Sequence, residues 1–357
     1  MSEASNVLRD EASAVEEFHA RGWTDGLPVI IPTPERVEEM VFASGLAPEL
    51  SLGAVGPAFG EATVEKVAAN AVMAGCLPEH FPVVVAAVRA VCDERFDLAT
   101  LQATTHPIGP VIIVNGPARY SCGRVASGRG CLGPGHRANA VIGRALRLTM
   151  INIGGGRPGT TDMALHGSPA KFTCCFAEDE ESSPFPPLHV SRGYRPDQSA
   201  VTILGVDAPH SVIMNPYDEG PEAAERMLRT LAGAIANAGS NNTYFGAGTT
   251  LVLLNPAHAR VLAGKYDRAG VQSRLHELAA TPRRVLDTYA SFKKSRPGSE
   301  DRLVRAIRSP DRVVVAVAGG EGLYSAVFNT WGGGVHGVEA VDCEIHVEQY
   351  CELPTRN

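Results

Sequence analysis

The sequence predicts an α/β protein: mixed or mainly parallel sheets with flanking helices, arranged as two α/β halves. Three observations carry this reading. Short β-branched runs such as Val111 to Asn115 and Thr250 to Leu254 have the length and composition of buried strands. Helical stretches alternate with them along the chain, as in βαβ architectures. The 357 residues, 44% hydrophobic and 20% charged, are enough for a full core and for two domains. A boundary near 195 divides the chain into residues 1–195 and residues 196–357.

The elements follow from local pattern and punctuation. Asn6 to Arg21 has helical composition and stops at Gly22. Leu27 to Ile31 reads as a short strand closed by Pro32 and Pro34, followed by a helix from Glu35 to Ala43. Leu50 to Val55 is a second strand. Helices at Thr63 to Ala74 and Pro82 to Cys92 are separated by Gly75 and Pro78. The Val111 to Asn115 strand leads into a glycine-rich loop, then a helix from Arg137 to Asn152. Past the acidic run come a strand at Ala200 to Leu204, a long helix at Pro221 to Ala238 and a strand at Thr250 to Leu254. Helices at Ala257 to Gly264 and Val271 to Ala280 precede a last strand, Arg312 to Ala318. The charged stretch 292–301 reads as a surface loop.

Composition excludes several classes. A net charge of −7 offers no basic stripe for nucleic acid. The acidic N-terminus lacks the apolar core of a secretory signal, and no apolar run reaches the roughly 18 residues of a membrane span. A cytoplasmic protein is expected, with neither nucleic acid nor membrane as partner and homo-oligomeric assembly. Eight cysteines without a CxxC pair indicate reduced thiols rather than a disulfide framework or a structural zinc site. Cys76 and Cys92 sit in apolar helical patterns, as small core residues do.

Chemistry concentrates between Cys122 and Arg192. Gly123 to Gly159 holds 10 glycines in 37 positions, against about four for average usage in this chain. The helix that follows is apolar around most of its surface, with Arg137, Arg144 and Arg147 on the remaining arc. Buried guanidinium groups need partners, which here are either the acidic run Glu178 to Glu181 or an anionic ligand. Gly133, Gly135 and Asn139 lie where the loop enters the helix, whose N-terminus offers N–H donors to an anion. In Lys171-Phe172-Thr173-Cys174-Cys175-Phe176, strand alternation puts Lys171, Thr173 and Cys175 on one face. A cation beside Cys175 would favour the thiolate, and Glu178 would supply a carboxylate for proton transfer. His106, before the buried strand, occupies a strand-end loop where α/β proteins hold ligands. His106, His136, His166 and His189 with Glu178 form an alternative, metal-binding reading, although no HxH, HxxxH or HExxH spacing occurs. Asp25, in WTDG, reads as a turn residue.

NAVMAGCLPEHFPVV, QATTHPIGPVIIVNGP, GPGHRANAVIGRALRL and GSPAKFTCCFAEDEESSP resemble a poorly characterised bacterial family of α/β proteins associated with small UGSC-type selenoproteins. The resemblance covers roughly residues 20–195, with a looser echo beyond. In the family pattern an aromatic residue stands at the position of Cys174, a cysteine at Cys175 and a carboxylate at Glu178. Cys122 and Cys131 fall where that pattern has no cysteine. The resemblance implies thiol or selenol chemistry with a partner subunit.

The combined expectation is an enzyme, a lyase or hydrolase, acting on a small anionic carboxylate. Cys175, Glu178 and His106 are its candidate catalytic groups. Arg137, Asn139, Arg144, Arg147, Lys171, Gly133 and Gly135 are the candidate substrate-binding residues. No cofactor is specified. The alternatives are a metal-dependent hydratase or lyase using His and Glu ligands, and a non-catalytic subunit of a small thiol or selenol partner protein.

Overall fold

The computed structural model of the protein describes residues 3–245, 248–290 and 296–347. The expected charged loop at 292–301 falls partly outside these residues, as does Cys351. Strands in chain order are β1 (Ser51–Val55), β2 (Gly60–Thr63), β3 (Gly109–Asn115), β4 (Cys175–Ala177), β5 (Ala200–Val206) and β6 (His210–Ile213). They continue with β7 (Thr250–Leu254), β8 (Ala280–Pro282), β9 (Leu303–Arg305), β10 (Val313–Val317), β11 (Tyr324–Phe328) and β12 (Val341–Glu344). Two mixed four-stranded sheets dominate, in the orders β12-β5-β3-β4 and β10-β7-β11-β6. Each contains one parallel pair, β3 with β4 and β7 with β10.

A strand apolar at every position requires cover on both faces, and the two sheets meet that need by stacking on each other. Val111, Ile113, Phe176, Leu204 and Val206 of the first sheet pack against Leu251, Leu253, Val314, Ala316 and Phe328 of the second. Their opposite faces take helices. Ile112, Val114, Cys175, Val201 and Ile203 share a core with the helices Val64–Ala74, Phe81–Cys92 and Arg137–Asn152. Val252, Leu254, Val313, Val315 and Val317 share one with the helices Ala223–Ile235, Pro256–Ala263 and Arg268–Leu278. The result is four layers: helices, sheet, sheet, helices.

Two expectations are corrected. Leu27 to Ile31 is not a strand: Pro28 has no N–H to give a ladder, and its carbonyl and that of Leu27 accept from Arg144 instead. The boundary near 195 does not separate the sheets either. β5 and β12, both beyond it, complete the sheet that β3 and β4 begin.

The acidic run is solvated only at its far end, where Glu181 is exposed. It follows β4 into the seam between the sheets, where Glu178 is completely buried. Its Oε1 lies 3.2 Å from Arg268 Nη2, and Oε2 accepts from Asn115 Nδ2 and Leu188 N, each at 2.6 Å. Arg268 also donates to the carbonyls of Val315 and Pro186. One carboxylate thus ties β3 and β4 to a helix packed on the other sheet. Glu180 and Glu181 both pair with Arg119. Truncating one partner of such an ion pair leaves the other charged and buried, at a cost of about 3–5 kcal/mol. Glu178→Ala should therefore lower unfolding stability by that amount in urea titration. A loss under about 1 kcal/mol, the scale of an exposed pair, would refute this assignment.

Candidate active site

The helix Arg137–Asn152 starts and stops where the sequence places it. Gly143 lets it approach the first sheet closely: a Cβ there would stand 2.4 Å from Thr173 Oγ1 and 2.8 Å from Cys174 N. Its three arginines have different fates. Arg137 is exposed and donates to Gly75 O at 2.9 Å. Arg144 forms a two-pronged pair with Asp25, both contacts 2.8 Å, and adds the Pro28 carbonyl at 2.8 Å. Arg147 is only 6% exposed. Its Nε donates to Lys171 O at 2.6 Å, and its Nη1 lies 3.7 Å from Asp162 Oδ2. Its Nη2, also buried, meets no hydrogen-bond partner. Neither Arg144 nor Arg147 turns to the acidic run, whose own partners are Arg119 and Arg268.

Arg147 opens onto a cavity of about 750 Å³. Lys171 is on its wall, carried by a single 3-10 turn, Pro169–Lys171, rather than by a strand. Its Nζ donates to Asp162 Oδ1 at 2.6 Å. Asp162 is buried and fixed by the turn it closes, where its N–H and those of Thr160 and Thr161 all donate to Arg157 O. Arg157 lines the cavity and donates through Nη1 to Gly22 O at 2.7 Å. Gly22 has φ +67°, and a Cβ there would stand 2.5 Å from Arg157 Nη1, so this approach requires glycine. Ser168, whose buried Oγ has no partner, and His166 complete the polar lining, while Ile151, Pro158, Leu165 and Phe172 supply apolar wall.

The charges on this wall do not balance. Asp25 is engaged by Arg144, and Asp162 serves both Lys171 and Arg147. Among the described residues no carboxylate pairs with Arg157. An anionic ligand fits that excess. Burial pulls the Lys171 ammonium below the ordinary lysine value; the hydrogen bond and charge of Asp162 oppose this, and Arg147 reinforces it.

The other expected site residues lie elsewhere. Cys175, 3% exposed, faces the helix-side core with Ala177, whereas Phe176 and the buried Glu178 belong to the seam between the sheets. The expected cysteine–carboxylate pair is therefore split by the strand itself. Lys171 is not beside the thiol on a shared strand face, and burial pushes the Cys175 thiol far up, with Cys174 and Cys76 adding to it. This is the reverse of thiolate activation. Cys175 instead adjoins a second, smaller cavity of about 440 Å³, lined also by Cys131, Gly133, Asn139 and Cys174. Burial raises the last thiol to about 12. Asn139 is occupied in holding the glycine-rich loop, with two contacts to the Ala126 backbone and one to Cys131 O. Gly135 is exposed, with φ +107° and open space around it. Pro169 lines both cavities, so they flank one turn.

His106 lines neither cavity; its Nε2 stands 3.5 Å from Asp207 Oδ2. Its pKa is lowered by burial, with Asp207 opposing and Lys171 assisting. His136 precedes the arginine helix, and His189 is buried 3.8 Å from Glu180. Among the described residues no three His, Cys, Asp or Glu side chains are placed to hold a metal ion. Among them, too, no helix is long and apolar enough to cross a membrane.

Sequence reasoning missed Asp162, Arg157 and Ser168 and undervalued Asp25. Asp162 and Arg157 bracket GRPGTTD, a turn-forming run just past the arginine helix, and their proximity to that helix was the available signal. No family model, curated protein or solved structure matches the chain.

The neutral amine is the form that attacks electrophiles, and a lowered pKa makes it available at lower pH. Besides Asp162 and Arg147, His106 senses this amine, whose charge helps to lower the imidazole's pKa. Lys171 should react with cyanate at a pH where exposed lysines of the chain remain unmodified, as followed by peptide mass mapping. Asp162→Asn removes the opposing contribution and should move the midpoint lower still. Cys175 should resist iodoacetamide in the native protein and react only after denaturation; rapid native labelling would contradict its burial.

Proposed function

We propose that the chain is an enzyme that binds a small carboxylate in the 750 Å³ cavity and acts on it through Lys171 and Asp162. The observation that carries this reading is Arg147: a buried guanidinium on the cavity wall whose Nη1 has no partner nearer than Asp162 Oδ2 at 3.7 Å, and whose Nη2 has none. A buried donor left unmet costs about 1–3 kcal/mol, more for a charged group. A ligand carboxylate at Nη1 answers the guanidinium charge with a charge-assisted bond. The volume falls within the range of small-molecule sites.

The roles follow from position. Arg147 and Arg157 hold the carboxylate. Lys171 and Asp162, 2.6 Å apart, form an acid–base pair within reach of the bound molecule. The reading keeps the anionic substrate expected from the sequence and moves the chemistry from the thiol to the amine. Calorimetric titration with a panel of small carboxylates tests it. Wild-type protein should bind at least one, and Arg147→Met should weaken that binding by at least about tenfold, the equivalent of one charged hydrogen bond. Unchanged affinity in Arg147→Met, or no binding across the panel, would sink the reading.

A further inference from the structure

We infer that the carboxylate taken by this cavity belongs to a 2-oxo acid, whose carbonyl carbon forms an imine with Lys171. The inference rests on the carboxylate-binding role proposed for Arg147 and specifies the substrate class of that site. Its basis is the spacing of three side chains. One carboxylate, Asp162, bridges Lys171 Nζ at 2.6 Å and Arg147 Nη1 at 3.7 Å, so amine and guanidinium are close neighbours on one wall. A molecule whose carboxylate lies on the arginine presents its adjacent carbon to the lysine. In a 2-oxo acid that adjacent carbon is the electrophile.

Three further features suit a 2-oxo acid and its imine. Lys171 is largely withdrawn from water, its side chain 13% exposed, which favours the neutral nucleophile. Asp162 is hydrogen-bonded to the amine and so placed to move each proton the reaction requires. Ile151, Leu165 and Phe172 give the cavity an apolar wall for the carbon chain of the oxo acid.

The step balances as follows. Asp162 accepts a proton from the Lys171 ammonium, and the nitrogen lone pair attacks the carbonyl carbon. The C=O π electrons move to oxygen, which takes that proton back from Asp162. The carboxylate then removes a second proton from nitrogen and delivers it to the hydroxyl. Water leaves as the nitrogen lone pair closes the C=N bond. The carbonyl oxygen thus departs as water with two protons from the ammonium, leaving a protonated imine and an ionised Asp162. That cation is an electron sink, which eases loss of a proton or a carbon substituent from the carbon beside it.

Reductive trapping tests the inference on the full-length protein. The chain is incubated separately with glyoxylate, pyruvate, 2-oxobutyrate and 2-oxoglutarate in the presence of cyanoborohydride, then analysed by intact and peptide mass spectrometry. Propionate and acetone, each lacking one of the two functional groups, are the controls. The expected result is one adduct per chain on Lys171, weighing the oxo acid less water plus two hydrogens. It should be absent with both controls and in Lys171→Arg, and at least about tenfold slower to form in Arg147→Met. Calorimetry on the same samples separates the two levels of the argument. Oxo acids that bind but leave no adduct, or adducts spread over exposed lysines, overturn the imine while the carboxylate site stands. Absence of binding by every carboxylate overturns both. The wild-type trap is informative even if a variant fails to fold, which circular dichroism reports.

Discussion

Asp162 is a single buried carboxylate that answers two buried cations, and the arrangement of the cavity depends on it. Its Oδ1 takes the Lys171 ammonium at 2.6 Å and its Oδ2 faces Arg147 Nη1 at 3.7 Å. Two cations brought this close out of water repel each other strongly. The carboxylate between them makes the juxtaposition tolerable without cancelling it. The turn from Arg157 to Asp162 exists to place that group, with Arg157 O collecting three successive amide donors and Arg157 N resting on Thr161 Oγ1 at 2.8 Å. Arg157 is brought to the cavity by the same turn, and Gly22 accommodates it. Removing the Asp162 side chain therefore upsets the charge balance of the wall, while the amide bonds of the turn, made by the backbone, remain.

The second organising fact is the layering. Because β4 has the helices on one face and the other sheet on the opposite face, consecutive residues after Cys174 enter separate environments. Cys175 and Ala177 face the helices; Phe176 faces the seam, where Glu178 then meets Arg268. A cysteine and a glutamate three positions apart cannot share a site across a sheet plane. Their prominence in the sequence has a packing origin: Cys175 fills core, and Glu178 ties the two sheets.

Much of the fold was legible because it rests on local pattern. The helix Arg137–Asn152 and the strand Thr250–Leu254 follow from apolar periodicity and from glycine or proline at their ends. The stacking of the two sheets was not legible, since a strand apolar at every position states that both faces are covered but not by what. Nor was the exchange of β5 and β12 into the first sheet, which is a long-range choice. At the site, sequence marked Arg144 and Arg147 as charges needing partners, either the nearby acidic run or an anionic ligand, and the acidic run pairs with neither. Proximity along the chain misled there. Asp25 pairs with Arg144 across a separation of 119 residues, which no spacing rule reveals. The strand assigned to Lys171 failed for a local reason: Pro169 opens a 3-10 turn, so alternation begins only after it.

Arg144 and Arg147 show how a structural cation is told from one held ready. They stand three residues apart on one helix and would look equivalent in any helical projection. Arg144 is satisfied: two bonds to Asp25 and carbonyls from Leu27 and Pro28 engage its fork, and a ligand gains nothing by displacing them. Arg147 has one close bond, to a carbonyl, a looser approach to Asp162 and one nitrogen with no partner. The fold meets the completely buried Glu178 carboxylate with four donors, whereas the cavity-wall guanidinium of Arg147 has one close acceptor. Leaving one incomplete on a cavity wall lowers stability, and such local costs concentrate at functional sites. Arg268 in the seam also keeps one buried nitrogen, Nε, without a partner, so what marks the site is an incompletely met guanidinium on a cavity wall beside a buried Lys–Asp pair, not incompleteness alone.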